Sequence, residues 1–140
     1  MKDTIKTIAI VLLLIAGMIL FFKFPDLDIS LFGIGKHRHF LFHSAFFPAV
    51  LFLLCRLIFK RVILITISMC ISIAFAFAIG VHLITDLFRF KAIYFPIIKN
   101  LVYGTSLDDK AWIAANALCC LLISFLSYRS IMKKDVPRNK

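Results

Sequence analysis

The chain reads as an all-α integral membrane protein of about four transmembrane helices, with its polar motifs gathered at one membrane face. Three features carry that reading. Of 140 residues 62% are hydrophobic and the mean hydropathy is +0.99, far above the apolar share of an ordinary soluble domain. The apolar residues fall into runs of the length needed to cross a hydrocarbon core of about 30 Å. Three short polar clusters interrupt them, at Pro25 to Asp28, His37 to Ser44 and His82 to Asp86. No repeat, linker or low-complexity tract divides the chain, so residues 1–140 are expected to form a single membrane-embedded domain.

The first run, Ile5 to about Phe24, follows Lys2 and Lys6. It is longer than the apolar region of a signal peptide, and Phe21, Phe22, Lys23 and Phe24 stand where cleavage needs small residues, so an anchoring helix is expected. The second run, Phe40 to Phe59, and the third, Val62 to about Leu87, are separated only by Lys60 and Arg61 and predict a helical hairpin. Pro48 lies inside the second run and is expected to free the Ser44 carbonyl and kink that helix. The fourth run spans Ala111 to about Ile131, before a basic tail. These assignments rest on length, because helical periodicity is uninformative in segments that are apolar on every side. The segment Ala92 to Gly104 is amphipathic enough to lie on the membrane as a lid.

Orientation follows from the basic residues. The N-terminal arm, the turn after the second run and the tail hold ten Lys and Arg, and the two longer loops between them hold seven, which predicts cytoplasmic termini. The net charge of +10 comes from residues that flank the spans, so membrane lipids with anionic headgroups are the expected partner and nucleic acid is not.

Helix geometry brings the clusters to one level. At about 1.5 Å per residue, Lys6 to Asp26 covers roughly 30 Å, Lys60 back to His43 roughly 26 Å and Arg61 to His82 roughly 32 Å. The three helices alternate in direction, so all three clusters are expected at the face opposite the cytoplasm. They contain all four histidines and three of the seven carboxylates, every one of which is an Asp. Ionisable groups at the ends of membrane helices are costly unless they bind something, which points to a divalent metal ion. His82 and Asp86, four residues apart on a helix, project from one side and can chelate together. His39 and His43 share that spacing, but His39 is read as a solvated residue outside the ligand set. Asp26 and Asp28 are expected in an extended or turn segment after Pro25. Mixed His and Asp donors suit zinc, and manganese or iron are compatible with the same set.

The ordered motifs resemble those of the LexA-regulated inner-membrane metal-dependent hydrolases called the YdjM family. The residues that carry the resemblance are Pro25, Asp26 and Asp28, then His37, Arg38, His43 and Ser44, then Gly80, His82 and Asp86. The family's HRG-x-THS segment reads HRHFLFHS here, with one more residue between the outer histidines and Phe42 in place of Thr. The resemblance implies a multi-pass protein of the bacterial cytoplasmic (inner) membrane and a metal-dependent hydrolase, with phosphoester or lipid-like substrates at the membrane interface. Asp26, Asp28, His37, His43, His82 and Asp86 are then the metal ligands, a bound water is acidified toward a pKa of about 7, and Arg38 and Ser44 are the catalytic candidates. Arg38 would hold an anionic group through its planar fork, and Ser44 would orient a ligand or cap the second helix. The alternative is a non-catalytic metal-binding or scaffold protein of the membrane. A transporter fits poorly, since no ionisable residue marks a path through the middle. Asn116 reads as an interhelical hydrogen bond, Trp112 as an interfacial anchor, and Cys55, Cys70, Cys119 and Cys120 as small apolar packing residues.

Overall fold

The computed structural model describes residues 2–33, 39–58, 62–88 and 106–132. Five helices, and no strand, occur among them: α1 (Lys2–Phe21), α2 (Leu27–Phe32), α3 (Phe46–Ile58), α4 (Val62–Leu87) and α5 (Ser106–Met132). Two helical segments, Ile63–Leu87 and Lys110–Met132, are long and apolar enough to cross a membrane by length and composition. Thr7–Phe21 and Phe46–Ile58 are shorter apolar helices. The basic turn at Lys60 and Arg61, the segment Ala92 to Gly104 and the tail after Met132 lie outside the described residues.

Pro25 explains how α1 ends. Continuing the helix would press its ring against the Phe21 carbonyl. The chain instead makes successive tight turns, with the Phe24 N–H donating to Phe21 C=O at 3.0 Å and the Asp26 N–H to Lys23 C=O at 3.1 Å. The acidic pair expected in an extended or turn segment therefore opens a short helix: Asp26 is the N-cap of α2 and Asp28 lies in its first turn. α2 stops at Gly33, whose φ of 82° is in the region glycine favours and whose N–H returns to Ile29 C=O at 2.9 Å.

α3 starts six residues later than the apolar run predicts. Residues 40–45 form turns, and the helix begins at Phe46. Its first turn holds Pro48, which needs no partner for an N–H there, so the proline fits a helix start and produces no mid-helix kink. The exposed donors at this end are satisfied by side chains: Ser44 Oγ accepts the Phe46 N–H at 3.2 Å, and Asn116 Oδ1 accepts the Ala45 N–H at 2.9 Å.

α4 is the central element, packed against α1, α3 and α5, with its largest interface on α5. Small residues let the two long helices approach. A Cβ on Gly80 would stand 3.3 Å from Cys120 Cβ, and Ser72 and Ser127 hydrogen-bond across the interface at 3.1 Å. Around them the core is built from Phe75, Ile79, Leu83, Ile113, Ala117 and Cys120, with a second cluster of Phe52, Cys55, Ile65 and Met69 toward the other end of α4. α1 joins through Gly17, where an added Cβ would fall 2.7 Å from Ala74 Cβ. Neither atom belongs to a flexible side chain, so a methyl group there forces the helices apart.

Gly17→Ala is expected to lower the thermal unfolding midpoint of the detergent-purified protein. Overpacking costs about 1–3 kcal/mol, against roughly 1 kcal/mol gained by Ala over Gly inside a helix. Circular dichroism against temperature reads the balance, and a midpoint at or above wild type contradicts the close approach of α1 to α4.

Candidate metal centre

Three segments remote in sequence meet at one end of α4. The turn between α1 and α2 brings Asp26 and Asp28, the turns before α3 bring His43, and the last turns of α4 bring His82 and Asp86. α4 supplies its pair because residues four apart share a helix face, and their separation is 3.6 Å from His82 Nε2 to Asp86 Oδ2. Across segments, His82 Nε2 is 3.7 Å from Asp26 Oδ1 and His43 Nε2 is 3.4 Å from Asp86 Oδ2. One donor atom from each of Asp26, His43 and His82 can be chosen so that all lie within 4.8 Å of one another, an arrangement able to hold a metal ion.

The spacing is informative. Hydrogen bonds between such groups run at about 2.7–3.2 Å, so these pairs are too far apart for good ones. Four donors arranged tetrahedrally at about 2.0–2.1 Å from an ion lie roughly 3.3 Å from one another. His82 sharpens the point: its side chain is 6% exposed, and both ring nitrogens are buried without a hydrogen bond. An imidazole taken out of water in that condition is costly, and a cation at Nε2 relieves the cost.

Asp26 and Asp28 have opposite surroundings. Asp26 is the N-cap of α2 but makes no side-chain cap hydrogen bond, and its side chain is 41% exposed beside His82. Asp28 is fully buried, with Oδ2 accepting the His39 N–H at 2.7 Å and lying 3.4 Å from His43 Nδ1. A carboxylate behind the remote nitrogen of an imidazole orients the ring and favours a lone pair on the opposite nitrogen. Asp28 stands on the Nδ1 side of His43 at 3.4 Å, longer than a good hydrogen bond, so its carboxylate acts on the ring as a nearby charge, while Nε2 lies 3.4 Å from Asp86.

His39 differs from the solvated residue the sequence predicts. It is buried, its ring stacks on Phe32 with centroids 4.8 Å apart, and its Nδ1 accepts the Leu41 N–H at 3.4 Å. Its physical role is to lock the turn onto Asp28, and the spacing to His43 is kept by a single turn, with the His43 N–H on His39 C=O at 3.0 Å, rather than by a continuing helix. Ser44 is buried, with its hydroxyl donating to Leu41 C=O at 2.7 Å and accepting the Phe46 N–H, so it caps α3. His37 and Arg38 lie outside the described residues. Two contributions escaped the sequence reading, the His39 amide on Asp28 and the edge of Phe22 against the His82 ring at 5.3 Å. Ser44 followed by Pro48 was an available signal for the later helix start. Asn116, expected to make an interhelical hydrogen bond, instead accepts the N–H of Ala45 in the turn before α3.

Neither a protein-family model nor a curated protein nor a solved structure matches this chain.

A bound ion ties three segments together and is expected to stabilise the fold. At a free metal concentration a hundredfold above Kd the gain is about 2.7 kcal/mol, read as a rise in unfolding midpoint when zinc or manganese is added to chelator-treated protein. His82→Ala is expected to abolish that rise. Asp28→Asn should weaken metal binding by about 10- to 100-fold, measured by competition with a chelating dye. Wild-type affinity in Asp28→Asn contradicts its role behind His43.

Proposed function

We propose that the chain is a multi-pass membrane protein of the bacterial inner membrane that hydrolyses phosphoester bonds in lipid-like substrates, as the resemblance to the LexA-regulated metal-dependent hydrolases implies. In this reading α1 and α3 complete four spans with α4 and α5, the termini are cytoplasmic and the metal centre faces the other side. The observation that carries the proposal is His82, a buried imidazole whose nitrogens make no hydrogen bond and whose Nε2 stands 3.6–3.7 Å from two carboxylates.

Exposure distinguishes a working site from a closed one. Structural zinc sites are sealed, whereas catalytic sites keep a position open. Here His43, Asp28 and Asp86 are at most 3% exposed, and Asp26, at 41%, leaves the cluster approachable from its own side. Exposed Phe22 stands edge-on to the His82 ring at 5.3 Å, and exposed Lys23 and Leu27 lie close to Asp26 along the chain. An apolar rim beside a cation suits an amphiphile with an anionic headgroup. Outward-facing Leu12, Ile19, Leu122 and Phe125 on α1 and α5 offer further apolar surface to lipid.

A divalent ion, when bound, supplies Lewis acidity and lowers the pKa of a coordinated water. The chain's residues hold and orient the reactants. Asp26, His43 and His82 would hold the ion with Asp86 beside them, Asp28 would bias the His43 ring from its Nδ1 side, and Arg38 would pair with the anionic group of the substrate. The burial of the other cluster members also favours a second reading, a structural metal site in a scaffold protein.

Turnover decides between them. Detergent-purified protein is expected to hydrolyse phosphate monoesters, diesters or phospholipid in mixed micelles with added zinc or manganese, and His82→Ala to lose about a hundredfold or more in kcat/KM with unchanged helix content. Metal bound without turnover on any of these substrates selects the structural reading.

A further inference from the structure

α5 contributes none of the cluster side chains, yet it holds the segment that carries one. The Asn116 amide is engaged at both ends: Nδ2 donates to Trp112 C=O at 2.9 Å, and Oδ1 accepts the Ala45 N–H at 2.9 Å. A carbonyl only accepts and an N–H only donates, so flipping the amide would lose both bonds. Ala45 is buried two residues beyond His43. On the other side, the His43 N–H is held by His39 C=O at 3.0 Å, and Ser44 is tied through its hydroxyl to Leu41 and Phe46. Asn116 thus links this turn to α5, which packs on the α4 that bears His82 and Asp86.

The other polar residues of α5 show what is unusual here. Ser127 and Ser130 donate to the carbonyls four residues earlier, Ile123 and Leu126, each at 2.8 Å. Ser127 and Ser124 also bond to α4, through Ser72 Oγ at 3.1 Å and Ile73 C=O at 3.5 Å, whereas Asn116 pairs its bond to Trp112 with an acceptor for a backbone N–H of the turn that carries His43.

We propose that Asn116 is a positioning residue of the metal centre: by accepting the Ala45 N–H it sets where His43 stands relative to His82 and Asp86. It acts through the backbone of the turn and touches neither ion nor substrate. The inference rests on the cluster being a metal site.

Asn116→Ser tests it with little disturbance. A serine can donate to Trp112 C=O as Ser127 and Ser130 do to their own carbonyls, and it is too short to reach Ala45. Titration with Co2+ followed by visible absorption reads affinity and ligand geometry together. The variant is expected to bind Co2+ about tenfold more weakly with altered bands, at wild-type helix content. Ser127→Ala, a change on the same helix as Asn116 that removes the contact to Ser72 of α4, is expected to leave both cobalt readouts unchanged even if it lowers the unfolding midpoint. Wild-type affinity and bands in Asn116→Ser overturn the proposal, and the metal reading survives provided His82→Ala loses the ion. Cobalt bound normally by both Asn116→Ser and His82→Ala removes the metal reading itself. Should Asn116→Ser fail to fold, Asn116→Gln, which keeps the amide but moves it by one methylene, carries the same expectations.

Discussion

Removing a carboxylate or an imidazole from water costs several kcal/mol per ion unless charges and hydrogen bonds replace the solvent. Five such groups meet here, and four of their side chains, Asp28, His43, His82 and Asp86, are no more than 6% exposed. They come from three segments, so the segments have to arrive together. The end of α4 must reach the level of the turn after α1, and the turns before α3 must fold over both. Gly17 and Gly80 serve this by letting α1 and α5 approach α4 closely. The aromatic packing serves it too, since Phe24 lies against Phe42, Phe47 and Phe75 and so joins all three segments beside the cluster.

Two aspartates two residues apart take different tasks because of where α2 points them. Asp28 turns inward, where a backbone amide and an imidazole replace its water. Asp26 forgoes the capping bond its position invites and stays partly in solvent beside His82. The first is suited to orienting a ligand and the second to meeting one. A similar division separates the histidines: His39 has its backbone N–H on Asp28, its Nδ1 on a backbone donor and its ring on Phe32, whereas His43 and His82 turn their rings to the carboxylates.

Much of this was legible from local rules. Composition identified helices of membrane-spanning character, and α4 and α5 have the required length. Pro25 marked the end of α1, and the spacing of His82 and Asp86 placed them together, because proline sterics and the 3.6-residue period act over one or two turns. The later start of α3 has an equally physical cause. Residues 40–45 are as apolar as the helix after them, and hydropathy cannot separate a buried turn from a helix.

What residues 25–28 or 82–86 could do was set by their own chemistry and spacing, so the acidic turn and the chelating pair could be named without coordinates. Which aspartate faces inward, that His39 grips Asp28 through its backbone, and that Asn116 reaches Ala45 across 71 residues of chain were decided by tertiary structure. Those outcomes depend on which surfaces remain to satisfy a buried donor or acceptor once the helices have packed, and local sequence carries no record of that.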